Sequence, residues 1–337
     1  MKTSTSKRLR WNVAIWLAAG LFMTSTAGMA SGPIMPDPKA EARHQPQVEE
    51  TANGIPLVNI TAPSSGGVSR NEYETFNVPD KGAILNNSYT LSKTELAGYV
   101  QGNNNMAERP AKIIVNEVTG AGSTSMDGFL EVAGNRADVV IANPNGITVN
   151  GGGFINTGKA FLTTGKPVYD GEDHLQRFDI TGGDIPIEGK GLGGKETESL
   201  AILSRAVKIN AGIWAEDLHI TTGANTVDAK TLEASAIEGK GGRPAFALDT
   251  AAIGGMYAGR ITLVGTEKGL GVNNSGTWSA EDNLTLDWNG DLKNSGTIYS
   301  KGNTDLRASH LENDKTIAAE RNLSAAAKEN IRNQGKL

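Results

Sequence analysis

Apolar and polar positions alternate in short stretches along much of this chain, and the alternation is clearest towards its end. In Leu284-Thr285-Leu286-Asp287-Trp288 and Thr297-Ile298-Tyr299-Ser300 every second residue is apolar, the period of a half-buried strand. These stretches return at a fixed distance. Asn274-Ser275-Gly276-Thr277, Asn294-Ser295-Gly296-Thr297, Asn313-Asp314-Lys315-Thr316 and Asn333-Gln334-Gly335-Lys336 follow at steps of 20, 19 and 20, and Asn283, Asn303 and Asn322 keep steps of 20 and 19. About 20 residues hold two or three short strands, too few to bury a face alone, so each unit must stack on its neighbours. The pattern predicts an all-β solenoid, a parallel β-helix whose coils each add about 4.8 Å. Asn274, Asn294, Asn313 and Asn333 then fall one above another and can form a hydrogen-bonded ladder.

Upstream, from Ile60 to Leu263, the strands keep this style without a strict period: Lys112-Ile113-Ile114-Val115, Ala137-Asp138-Val139-Val140-Ile141-Ala142, Ala206-Val207-Lys208-Ile209, Leu218-His219-Ile220-Thr221 and Arg260-Ile261-Thr262-Leu263. A solenoid exposes an unpaired edge at each end, so an irregular N-terminal part is where a cap belongs. One short helix is expected there, Ser92 to Tyr99, because Ser92 and Glu95 have capping-box spacing and Leu91 could serve as its staple.

Composition changes the picture at the N-terminus. Lys7, Arg8 and Arg10 precede an apolar run from Val13 to Met23 that ends at Ala27, Gly28 and Ala30, the pattern of a secretory signal peptide over residues 1–30. Residues 31–51, rich in proline and charge, read as a disordered leader. The chain has 42 glycines, no cysteine and a net charge of -5 without a basic run. That balance argues against nucleic acid or anionic lipid as partners, and no apolar stretch after the signal reaches the length of a membrane span.

The segment Asn143-Pro144-Asn145-Gly146-Ile147 is a compact turn, since Pro144 presets φ and Gly146 can take φ above zero. A structural turn and a recognition surface are both open for it. The motifs GIPLVNITAPSSGGVSRNEYETFNV (Gly54 to Val78), AILNNS (Ala83 to Ser88), IIVNEVTG (Ile113 to Gly120), LEVAGNRADVVIANPNGI (Leu130 to Ile147), LTTGKP (Leu162 to Pro167) and GGMYAGRITLVGTEKGLGV (Gly254 to Val272) then follow in order. Together they resemble the N-terminal secretion domain of two-partner-secretion exoproteins. That group includes filamentous haemagglutinin, calcium-independent haemolysins and contact-dependent inhibition toxins.

The resemblance implies a right-handed parallel β-helix, capped at its N-terminus, over residues 52–272, followed by haemagglutinin-type repeats over 273–337. It implies a secreted or cell-surface protein of a Gram-negative bacterium, bound in the periplasm by the POTRA domains of an Omp85-type outer-membrane transporter. It also implies transporter recognition at two asparagine motifs. One is Asn143 to Ile147; the other should be Asn-Pro-Asn-Leu, but this chain has Asn103-Asn104-Asn105-Met106. Without the proline the first turn is expected to be less preorganised, leaving Asn103 and Asn105 as the weaker half of the site. The haemolysin and inhibition-toxin branches often carry Cys-x-x-Cys after the turn, where this chain has Val149 and Gly152, which leans the parent protein towards an adhesin. A contact-dependent toxin or a haemolysin is the alternative. Because the last repeat stops inside a coil, the natural product is expected to be longer, with any host or bacterial surface receptor engaged beyond Leu337.

Signals for catalysis are weak. Gly189-Lys190-Gly191-Leu192-Gly193-Gly194 fits G-x-G-x-x-G, but that motif needs a strand-turn-helix unit, and Glu196 stands where a phosphate loop needs Ser or Thr. His44, His174, His219 and His310 are far apart and read as surface residues. Asp170-Gly171 reads as a hairpin turn sooner than a calcium loop. A polysaccharide-active enzyme on the same fold is a remote alternative, and no converging acidic constellation supports it. The expectation is a secretion module that is not an enzyme and has no catalytic residues, cofactor or metal.

Overall fold

The computed structural model describes residues 32–107 and 109–337; the signal-peptide reading lies outside them. From Thr124 onward the strands fall in a repeating order of three, each pairing in parallel with its counterpart one coil later. One face of the resulting β-helix runs through Phe129–Gly134, Gly152–Ile155, Leu192–Gly194 and the start of Gly212–Thr222. A second runs through Ile113–Val118, Ala137–Ala142, Thr157–Thr163 and Ser199–Ser204, and a third through Thr124–Met126, Ile147–Val149, Asp184–Ile187 and Ala206–Ile209. The repeats continue these faces without a break to Leu323–Asn333.

Parallel register puts like on like inside the coil. Ile114, Val139, Ala160, Leu200, Leu218, Ile261 and Leu284 form one inward column on the second face, and all seven are fully buried at 0 % exposure. On the third face the inward column is Met126, Val149, Ile187 and Ile209, passes through Thr250, and becomes Asn274, Asn294, Asn313 and Asn333. The asparagines form the expected ladder: each Nδ2 donates to the Oδ1 one coil on, at 2.8, 2.8 and 2.7 Å. The second marker pairs too, with Asn283 Oδ1 accepting the Asn303 amide and Asn303 Oδ1 accepting Asn322 Nδ2.

The N-terminal half wears an outer layer. Two excursions from the corner between the second and third faces, Lys166–Tyr169 with Leu175–Ile180 and Asn225–Asp228 with Ala234–Ala236, form a four-stranded antiparallel sheet. The sheet covers the outward side chains of the second face. Val115, Val140, Phe161 and Ala201 are buried against Phe178, Ile180 and Val227 as a second core. Beyond it the outward column turns polar, from His219 to Thr262, Thr285 and Asp305. As expected, Asp170 heads the turn of the first excursion, where its carboxylate accepts the Glu172 and His174 amides.

Three expectations are corrected. The stretch read as a disordered leader is built in: Ile34–Pro36 pairs antiparallel with Val68–Phe76, and Gln47–Glu50 pairs with Pro56–Asn59. This edge pairing satisfies backbone groups that an open first coil would leave exposed. His44, read as a surface residue, is 5 % exposed, with Nδ1 3.0 Å from Glu72 Oε1. Ser92 to Tyr99 is not a helix but a hairpin, Ser92–Thr94 against Gly98–Val100. Its capping-box bond is not made, because the Glu95 and Leu96 amides donate instead to the buried Glu131 carboxylate at 2.7 and 2.9 Å.

Candidate functional site

The turn at Asn143 sits where the chain leaves Ala137–Ala142 and enters Ile147–Val149. Asn143 Oδ1 accepts the Asn145 amide at 2.9 Å, and the Gly146 amide donates to the Asn143 carbonyl at 3.1 Å, so a side-chain turn and a backbone turn reinforce each other. Gly146 takes φ 109°, which a β-carbon would disfavour. Asn143 Nδ2 then donates to the Gly122 carbonyl and to Thr124 Oγ1, both at 3.0 Å. Asn145 Nδ2 reaches the Gly120 carbonyl at 2.9 Å. Both asparagines are therefore spent on stapling the loop 119–123 of the preceding coil. Asn143 is fully buried, whereas Pro144 and Asn145 are exposed.

The proline-free motif makes the same turn. Asn103 Oδ1 accepts the Asn105 amide at 2.9 Å, and the Met106 amide donates to the Asn103 carbonyl at 3.1 Å. Asn103 Nδ2 donates to the carbonyls of Ile60 and Asn86, and Asn105 Nδ2 to that of Ile60. Asn103 is 2 % exposed and Met106 enters the main core. The two motifs thus share their turn hydrogen bonds, although they stand on different corners of the coil and only the second has its fourth residue, Gly146, at a positive φ. The expected loss of preorganisation at the first is not visible as a changed turn.

Charged side chains hold the outer pieces to this frame. Arg70 Nη2 lies 2.9 Å from Glu72 Oε1 and 3.3 Å from Glu117 Oε2, with its guanidinium 4.5 Å from the centre of the Tyr169 ring. The cluster joins His44 of the N-terminal segment, two coil strands and the outer sheet. Burial pushes the Glu117 carboxyl up and the His44 ring down from their ordinary values. Burial also raises Glu131, opposed by the two amides it accepts. Arg205 grips Glu267 through two bonds of 3.1 and 3.0 Å and donates to the Lys240 carbonyl at 2.7 Å, strapping residues 237–245 across the coil. Gly120, Thr124 and Glu131 escaped the sequence reading because nothing in their neighbouring residues signals a long-range hydrogen bond.

Among the described residues no group of three or more histidines and carboxylates is placed to hold a metal ion. The G-x-G-x-x-G segment turns into the strand Leu192–Gly194 and is followed by a further coil strand, so the strand-turn-helix unit that makes the motif a dinucleotide site is not formed.

A family model described as the TPS secretion domain matches residues 33–300. Toxin CdiA of Yersinia pestis is 42 % identical over 298 residues, covering 82 % of this chain and 9 % of that protein. The 16S rRNA endonuclease CdiA of Enterobacter cloacae is 44 % identical over 292 residues, covering 84 % and 9 %. The crystal structure of the filamentous hemagglutinin secretion domain matches with a TM-score of 0.73 at 29 % identity, covering 91 % of this chain and 99 % of that one. The chain thus spans about 9 % of the length of these curated relatives.

Proposed function

The chain belongs to the TPS secretion-domain family, and from that premise we propose that its transporter reads the asparagine motifs before the coil closes, after which the same side chains lock the coil. A TPS domain is the secretion module of a two-partner-secretion exoprotein, which a cognate outer-membrane transporter delivers to the outside or the cell surface. The observation that carries the finer reading is the burial of Asn143. Its carboxamide spends both N–H groups and its oxygen inside the fold, so a partner that recognises that side chain meets it only in an unfolded or partly folded chain. Periplasmic POTRA domains of an Omp85-type transporter are the partner this reading assigns, with Asn143 to Ile147 as the principal contact and Asn103 and Asn105 as the second. An N-terminal export signal would bring the chain to them.

Purified POTRA domains are the test. They should bind the urea-unfolded chain on dilution and ignore the folded one, and Asn143→Ala and Asn145→Ala should weaken that binding and lower secretion through the transporter. Equal binding of the folded chain, or normal secretion of both variants, rejects the reading.

The module itself acts by binding and folding, without catalysis. For the whole exoprotein, the CdiA relatives favour a contact-dependent growth-inhibition toxin, while the absent cysteine pair and the filamentous hemagglutinin likeness favour an adhesin. Co-culture with a sensitive strain separates them: a toxin lowers the competitor's count only on contact, and an adhesin leaves it unchanged.

A further inference from the structure

Parallel register lines up outward side chains as well as inward ones. On the first face, Phe129, Gly153, Gly193, Trp214, Tyr257 and Ser279 stand in one outward column, one per coil. Its aromatic members are 44 %, 36 % and 39 % exposed, in a chain with 5 % aromatic residues. Trp214 and Tyr257 face solvent side by side, with ring centres 6.2 Å apart and planes within 18° of each other.

The rings are held in place by the glycines they cover. A β-carbon on Gly212 would stand 2.5 Å from the Trp214 ring, and one on Gly255 would stand 2.8 Å from the Tyr257 hydroxyl. Each ring thus lies back over the residue two before it on its own strand.

Beside this column runs another. Lys195, Glu216, Gly259, Glu281 and Lys301 each follow the aligned residues Gly194, Ala215, Ala258, Ala280 and Ser300. Gly259 leaves a gap next to Tyr257, and Glu216 Oε1 reaches to 3.2 Å from where its β-carbon would be. The result is a groove of about 450 Å³ lined by Lys195, Glu216, Tyr257, Gly259, Ser279 and Glu281, within the size range of small-ligand sites. Lys301 already pairs with Glu281. Among the described residues Lys195 and Glu216 make no ion pair, one of each sign.

We propose that this groove, together with the Trp214 ring that adjoins its Tyr257 wall, binds a neutral oligosaccharide. Two adjacent aromatic faces take the apolar C–H face of a pyranose ring, while Glu216, Lys195 and Ser279 at the edge accept from and donate to its hydroxyls. The charge balance selects against the other occupants. A polycation meets the unpaired Lys195, a polyanion meets the unpaired Glu216, and neither finds the clustered opposite charge it needs.

Calorimetric titration of the secreted chain with cellohexaose, maltohexaose and chitohexaose tests this, with hexaarginine and heparin as charged probes. At least one neutral hexasaccharide should bind saturably. Trp214→Ala and Tyr257→Ala should each weaken binding by about tenfold or more, the effect of losing a central anchor. Glu216→Ala and Lys195→Ala, which leave the rings and the coil untouched, should weaken it several-fold, so the outcome does not hang on variants that uncover a glycine. The proposal is overturned if no neutral hexasaccharide binds, if a charged probe binds better, or if the edge variants bind as wild type does.

Discussion

Asn294 Nδ2 donates to Asn313 Oδ1 at 2.8 Å, and Asn294 Oδ1 in turn accepts Asn274 Nδ2 at 2.8 Å. The carboxamide is fully buried and also serves the backbone, donating to the Thr316 carbonyl at 3.0 Å and accepting the Gly296 amide. Removing it leaves partners on both neighbouring coils unmatched in a place water does not reach. Each such group costs about 1–3 kcal/mol. Asn294→Ala should therefore lose about 3 kcal/mol or more in urea unfolding, whereas Asn333→Ala, exposed at the last rung, should lose under about 1 kcal/mol. Equal losses at the two positions would mean the ladder contributes nothing beyond local turn formation.

Two glycines in the loop under the Asn143 turn make opposite predictions. A β-carbon on Gly120 would sit 2.0 Å from the Glu74 carbonyl oxygen, while one on Gly122 meets nothing within 4 Å. Gly120→Ala must push the loop away from the coil and with it the carbonyl that Asn145 Nδ2 binds. A loss of about 1–3 kcal/mol is expected, as for other overpacked sites. Gly122→Ala should unfold within about 0.5 kcal/mol of wild type. Measuring both melting curves decides whether this contact sets the loop position.

His219 stands in the outward column directly after Ala201, at the margin of the covered face. Burial lowers its pKa from 6.5 to about 4, so the fold favours the neutral ring. The sign follows: its contribution is complete above pH 6.5 and is lost as pH falls towards 4. Between pH 7 and pH 4.5 wild type should lose about 2 kcal/mol more than His219→Gln, after allowance for the ring's partial exposure. An identical acid response in the two proteins would show that His219 titrates freely.

Much of the coil was legible because stacking repeats its demands. Asn274, Asn294 and Asn313 meet the same inward site three times, and only a periodic fold asks for the same residue at that interval. The outer layer was less legible, although it left a trace. Ile113-Ile114-Val115 and Val139-Val140-Ile141-Ala142 break the alternation seen at Leu284 to Trp288, and such continuous apolar runs mark strands buried on both faces. The hairpin at Ser92 was misread because its local capping pattern competed with Glu131, 36 residues away in sequence from Glu95. His44 was misread for the same kind of reason, since its partner Glu72 belongs to the first complete coil. At the asparagine motifs the residue types disclosed the turn, but not that the Asn103 and Asn143 side chains would be buried beneath it.

The two asparagine turns supply a last prediction, because they make the same side-chain and backbone hydrogen bonds while only the second carries a proline. Asn104 occupies the place of Pro144: each follows a buried asparagine whose oxygen accepts the amide two residues on. Both central positions are exposed, so a ring added at Asn104 would point to solvent. Proline placed where the native backbone already suits it stabilises by about 0.4–1 kcal/mol, chiefly by narrowing the unfolded ensemble. Asn104→Pro should therefore raise the unfolding midpoint slightly. It should also raise binding of the unfolded chain to POTRA domains if they read a preformed turn, since less ordering remains to be done on binding. A destabilised Asn104→Pro protein would show that the first turn differs from the second in a backbone angle that the shared hydrogen bonds do not reveal.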